Sequence, residues 1–160
     1  MSVDQAFERL SQLYDELPAM EEKGAVLARA LSAQEIDRLR RVVSARKAQL
    51  TEAEAHVVAA QAALERAVAE EASDEERYEL NRQVMLAGME RGYRIGPFQN
   101  AERDLARALE ASPFASIEEA KAALMPASEL DGLKQEVTAY QRDYAEALAQ
   151  CQAYESNEEL

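Results

Sequence analysis

Residues 130–154 read LDGLKQEVTAYQRDYAEALAQCQAY. Leu130, Val137, Tyr144 and Cys151 recur every seven residues, and Leu133, Tyr140, Ala147 and Tyr154 follow three behind each of them. Four repeats pass without a charged residue at either position, which is the pattern of an apolar seam along one helix. The spacing predicts a helix from near Ser128, just after Pro126, to about Tyr154.

A second heptad run lies upstream. Ile36, Val43, Leu50, Val57 and Leu64 are seven apart, with Leu39, Arg46, Ala53, Ala60 and Ala67 three further on. Ser32 and Glu35 have the spacing of a capping box, so a helix over about 33–72 is expected. Two features suggest that these two helices pair antiparallel. Small Ala53 and Ala60 would admit the bulky Tyr140 and Tyr144. The basic stretch Arg38, Arg40, Arg41, Arg46 and Lys47 would lie beside Glu146, Glu155, Glu158 and Glu159, with Leu64 level with about Leu130. The same heptads also suit a homodimer in which the long helices pair between chains.

The remaining segments are read as appendages. Ser2 and Gln5 form a capping box, followed by Val3, Phe7, Leu10, Tyr14 and Leu17 at 4-3-4-3 spacing, a helix that Pro18 should end. Ala25, Val26, Leu27 and Leu31 then belong to a second short helix. Ser73 with Glu76 opens a helix over about 74–91. Gly92-Tyr93-Arg94-Ile95-Gly96-Pro97-Phe98 has the composition of a loop. Helices over about 99–111 and 117–125 follow, the latter opened by Ser116 and Glu119. The expected fold is all-α: a long antiparallel helical hairpin, or coiled coil, with a small helical head and N-terminal helices on its open end. Its segments are 1–31, 32–72, 73–127 and 128–160.

Composition agrees. The 160 residues hold 5 Gly, 4 Pro, 3 Phe, 6 Tyr and no Trp, which favours long helices and a narrow core. The net charge is −13, divided as −4 over residues 1–72, −3 over 73–127 and −6 over 128–160. That balance argues against a phosphate backbone as partner. No apolar run approaches the ~18 residues of a membrane span, and Met1-Ser2-Val3-Asp4-Gln5 lacks the basic and apolar regions of a signal peptide. A cytoplasmic location is expected, with no membrane partner.

Candidate chemistry is sparse. His56 is the only histidine and forms an i, i+4 pair with Glu52, too little for a metal site or a catalytic triad. Cys151 is the only cysteine and falls on the seam of the last helix, where it reads as a small core residue. Glu70-Glu71, Asp74-Glu75-Glu76 and Glu158-Glu159 lack the spacing of a calcium loop. No enzyme, cofactor or metal is therefore expected. The stretch 91–98 is the exception, and Arg91, Tyr93, Arg94 and Phe98 are the candidate partner-binding residues, two basic and two aromatic side chains in a Gly/Pro loop, Tyr and Arg being enriched in binding hot spots. The competing expectation is that Tyr93, Ile95 and Phe98 plug a small core. The function expected is an adaptor, scaffold or regulator that binds another protein. The alternatives are an acidic mimic of nucleic acid that blocks a basic site and, less well supported, a helical metal-binding protein.

Overall fold

The computed structural model describes residues 2–158, for Glu158 the backbone only. Among them there are four helices and no strand: α1 (Val3–Ala69), α2 (Asp74–Ala111), α3 (Ile117–Ala122) and α4 (Ala127–Glu158). The all-α expectation holds. The chain divides into two compact units, one formed by residues up to Gln34 with those from Lys121 onward, the other by Glu35–Ala120.

In the first unit, α4 runs antiparallel to the first half of α1. Three contacts fix the direction: Arg9 pairs with Asp143 at 3.8 Å, the Tyr140 hydroxyl donates to the carbonyl of Leu13, and Lys23 pairs with Glu136. Every seam position read on α4 from Leu130 to Tyr154 is buried or half-buried. The seam was legible, but its partner was not. Tyr140 meets Leu13 rather than Ala53 or Ala60, and α4 joins residues 3–34 in one unit instead of pairing with 33–72.

The first half of α1 buries Ala6, Leu10, Leu13, Leu17, Met20 and Leu27, wholly or in part. Ala6 and Leu13 lie inside where Val3, Phe7 and Tyr14 were expected, and those three are exposed. The larger residues drew the reading one position round the helix. Ser2 does cap: its Oγ accepts from Gln5 N at 3.3 Å and Gln5 Oε1 accepts from Ser2 N at 3.0 Å.

Pro18 does not end this helix; it sits inside α1. Its missing N–H leaves the Tyr14 carbonyl without the usual donor. Pro18 and Tyr14 are both exposed, so water can reach that carbonyl. One residue earlier, the Leu13 carbonyl gains the Tyr140 hydroxyl. A stripe that stays buried on both sides of the proline carries the helix through.

No break occurs at Ser32 either. Stepping by sevens from Ala6 reaches exposed Gln34, whereas the second half of α1 starts a new frame at buried Ile36. The frame changes but the helix does not, because residues 25–69 contain neither Gly nor Pro. Glu35, expected to cap, instead accepts from Arg38 at 2.7 Å.

In the second unit, residues 35–69 of α1 pair with α2 across the turn at 70–73. The imidazole Nδ1 of His56 lies 3.5 Å from Glu90 Oε2, which sets the two helices antiparallel. Ile36, Leu39, Val43, Leu50, Ala53, Val57, Ala60, Leu64 and Ala67 are buried or half-buried, and Arg46 alone of that seam is exposed. Ala53 is fully buried and, counted from the His56–Glu90 pair, falls level with Tyr93 and Arg94.

The turn is a Schellman ending. Ala72 N donates to Ala67 O at 3.0 Å and Glu71 N to Val68 O at 3.3 Å, with Glu71 at φ 54°. A side chain there crowds its own carbonyl, which glycine avoids. Glu71→Gly should therefore raise the unfolding free energy by about 1 kcal/mol, read as a higher urea midpoint at unchanged slope. Ser73 then caps α2, its Oγ accepting from Glu76 N at 3.2 Å, as expected.

The expected head is replaced by one long helix. Residues 92–98 are not a loop, and Gly92, Gly96 and Pro97 are interior to α2. The reason is a stripe at 3-4 spacing that runs through them: Leu80, Val84, Ala87, Arg91, Arg94, Phe98, Ala101 and Leu105, of which all but the exposed Arg91 are buried or half-buried. Packing along that stripe overrides the weak local propensity of the Gly and Pro. α2 ends at Ser112, whose Oγ donates to Leu109 O at 2.6 Å. Buried Phe114 follows, and Ser116 caps α3 by accepting from Glu119 N at 3.1 Å.

Candidate interaction surface

The four candidate partner-binding residues all lie on α2, and the helix separates them. At about 100° per residue, Arg91, Arg94 and Phe98 share the side that faces α1, and Tyr93 points the other way. Arg94 and Phe98 are half-buried, Arg91 is exposed, and Tyr93 is 73 % exposed. Phe98 thus serves the packed stripe, as the core-plug alternative required of it, while Tyr93 and Ile95 stay at the surface.

Tyr93 has company that the sequence reading missed. Tyr78, Met85, Leu86 and Met89 lie on its side of α2, at 73, 59, 46 and 49 % exposure. These five side chains form a stripe of about four turns, opposite the packed one. Arg82 sits within it, its Nη1 3.3 Å from Glu79 Oε2. Residues 77–94 carry Arg77, Arg82, Arg91 and Arg94 against Glu79 and Glu90, a net +2 in a chain of −13. The signal was present in the sequence as residues 78, 85, 89 and 93 on one helical face. It was hidden by treating 92–98 as a loop, which cut the face short.

The remaining candidates are accounted for by their surroundings. His56 is half-exposed between Glu90 and Glu52, 4.0 Å from the latter. Cys151 is 3 % exposed, on the seam of α4. Glu70, Glu71, Asp74, Glu75 and Glu76 are exposed around the turn between α1 and α2. Glu159 and the side chain of Glu158 lie outside the described residues. Among the described residues no group of three or more His, Cys, Asp or Glu could hold a metal ion. No helix among them is long and apolar enough to cross a membrane.

Arg38, Arg40 and Arg41 of the basic stretch of α1 find acidic partners locally rather than on Glu146 or Glu155; of the other expected partners, the Glu158 side chain and Glu159 lie outside the described residues. Arg38 binds Glu35, while Arg40 and Arg41 both pair with Asp37, at 3.0 and 2.7 Å. The Arg40 hydrogen bonds, with the charge of Arg41, hold the Asp37 carboxyl below its ordinary 3.8. Arg38 does the same for Glu35. These are i, i+3 and i, i+4 contacts that any helix with this sequence can make.

One ionisable group bears on how the first unit holds together. Burial pushes the Tyr140 hydroxyl above the ordinary 10.0, and Tyr144, Glu16 and Glu21 add to the effect. The folded state therefore resists ionisation where the unfolded chain ionises freely. The resulting stability is present below pH 10 and is lost as pH rises through the raised value. Thermal unfolding of wild type and Tyr140→Phe on either side of pH 10 should show it. The variant is less stable below pH 10, lacking the bond to Leu13, and the gap narrows above it.

No family model, curated protein or solved structure matches this chain.

Proposed function

We propose that this chain is a non-catalytic adaptor or scaffold whose helices form coiled-coil hairpins and whose outward face on α2 binds protein. One observation carries the reading: Tyr78, Met85, Leu86, Met89 and Tyr93 stand at the surface on one face of a helix whose other face is packed. Keeping two tyrosines and three large aliphatic side chains in water gains nothing for an isolated chain. Tyrosine and methionine are also enriched in protein interfaces. A packed Cys151 supports a structural role for that thiol rather than a nucleophilic one. The charged residue within this stripe is Arg82, paired with Glu79, which gives no support to the alternative of an acidic mimic at this face.

The test is affinity capture of the full chain from its own cells, beside the triple variant Met85→Ser, Met89→Ser, Tyr93→Ser. Wild type should retain a protein partner, either another protein or a further copy of itself. The variant, confirmed helical by circular dichroism, should lose at least about tenfold of it, the equivalent of ~1.4 kcal/mol. Equal recovery by the folded variant would show that the face binds nothing.

A further inference from the structure

We infer that the outward face of α2 is occupied by a second copy of this chain, the two α2 helices lying antiparallel across a two-fold axis between Met85 and Leu86. This rests on the reading of that face as a protein-binding surface, and it names the partner.

The first argument is symmetry. A two-fold interface must be complementary to itself, so each residue meets the one equally far beyond the axis. The α2 stripe has this property. Tyr78 and Tyr93 stand equally far on either side of the Met85–Leu86 midpoint, so each tyrosine falls opposite the other across the axis. Met85 likewise falls opposite Leu86. Met89 falls opposite Arg82, whose alkyl stem can cover it while the guanidinium keeps its pairing with Glu79. A stripe shaped for an unrelated partner has no reason to read the same in both directions.

The second argument is area. The five side chains are 46–73 % exposed. At roughly 200 Å² for a fully exposed side chain of this size, they offer about 600 Å² per copy. Complete coverage of the stripe in both copies removes at most about 1,200 Å², the lower bound of specific, stable interfaces. Residues 78–93 span ~22 Å of helix, and helices crossing near 20° keep contact over that length.

The third argument is charge. Two chains of −13 repel each other, and the docking face should be the part that opposes this least. Within the stripe the charged residue is Arg82, and its guanidinium lies 3.3 Å from Glu79, so the contact adds no net charge of its own to that repulsion.

The experiment is sedimentation equilibrium of the purified full chain at micromolar concentration under reducing conditions. Wild type should sediment at twice 17.8 kDa. Met85→Glu should sediment as a monomer while remaining helical. Leu86→Lys alone should also be a monomer. The double variant M85E/L86K should recover the dimer, because the new acid on one copy then faces the new base on the other; i, i+1 neighbours within one helix do not face each other. An equimolar mixture of the two single variants should form a heterodimer for the same reason. A monomeric wild type overturns the inference. So does a dimer that survives Met85→Glu, since it must sit on another face, and so does failure of the double variant to recover the dimer. A monomeric wild type whose α2 face still captures a different protein would sink the dimer and leave the proposed function standing.

Discussion

Leu13→Ala should lower the unfolding free energy by about 3 kcal/mol, and Tyr14→Ala next to it should change it by no more than about 0.5 kcal/mol. Leu13 is 2 % exposed and Tyr14 is 63 % exposed. Truncating Leu13 removes buried methyl groups and leaves a gap beneath α4, whereas truncating Tyr14 removes atoms that water already surrounds. The contrast separates two readings of one helix. The heptad pattern with Val3, Phe7 and Tyr14 inside predicts that the tyrosine matters and the leucine does not. Chemical unfolding in urea distinguishes them, provided the slope is shared. The hydrogen bond from Tyr140 is made to the backbone of Leu13, so it survives the substitution and does not enter the comparison.

Pro18→Ala should stabilise the protein by about 1–3 kcal/mol. Within α1 the proline removes a donor from the Tyr14 carbonyl and crowds it with its ring. The exposure of that site lets water recover part of the loss, so the lower end of the range is as acceptable as the upper. Were Pro18 the first residue of a new helix, the missing donor would have no partner to lose and the fixed φ would help. Alanine would then be neutral or harmful. The sign of the change in urea midpoint therefore decides whether α1 is continuous.

Both substitutions bear on what the sequence could and could not reveal. The seam of α4 and that of residues 36–67 were readable because each keeps one heptad frame with large apolar residues. Which seam meets which was not readable, because heptads constrain faces and not partners. Tyr140 has no feature that prefers an alanine at 53 to a backbone carbonyl at 13. Helix ends were readable where a serine caps, at Ser2, Ser73 and Ser116. Ser32 misled because its motif coincides with a change of frame inside α1. At 92–98, Gly and Pro outweighed a stripe that arginine interrupts: Arg91 and Arg94 occupy stripe positions that an apolar residue would have advertised. Arg94 can lie there half-buried because Ala53, level with it, leaves room for an alkyl stem. The same oversight concealed the outward face, of which only Tyr93 had been singled out.

The most direct test of the account is thiol crosslinking in a Cys151→Ser background. Arg9→Cys with Asp143→Cys places two thiols on facing positions of α1 and α4, separated by the gap that the Arg9 side chain now spans, which is too wide for a disulfide and is suited to a short bismaleimide. With that reagent the pair should bridge rapidly within one chain, so that the protein runs as a faster-migrating monomer under denaturing conditions. Val57→Cys with Val137→Cys, the pair that the simple heptad reading sets level, is the comparison. Ready bridging of 57 with 137 and none of 9 with 143 would contradict the pairing of α4 with the first half of α1.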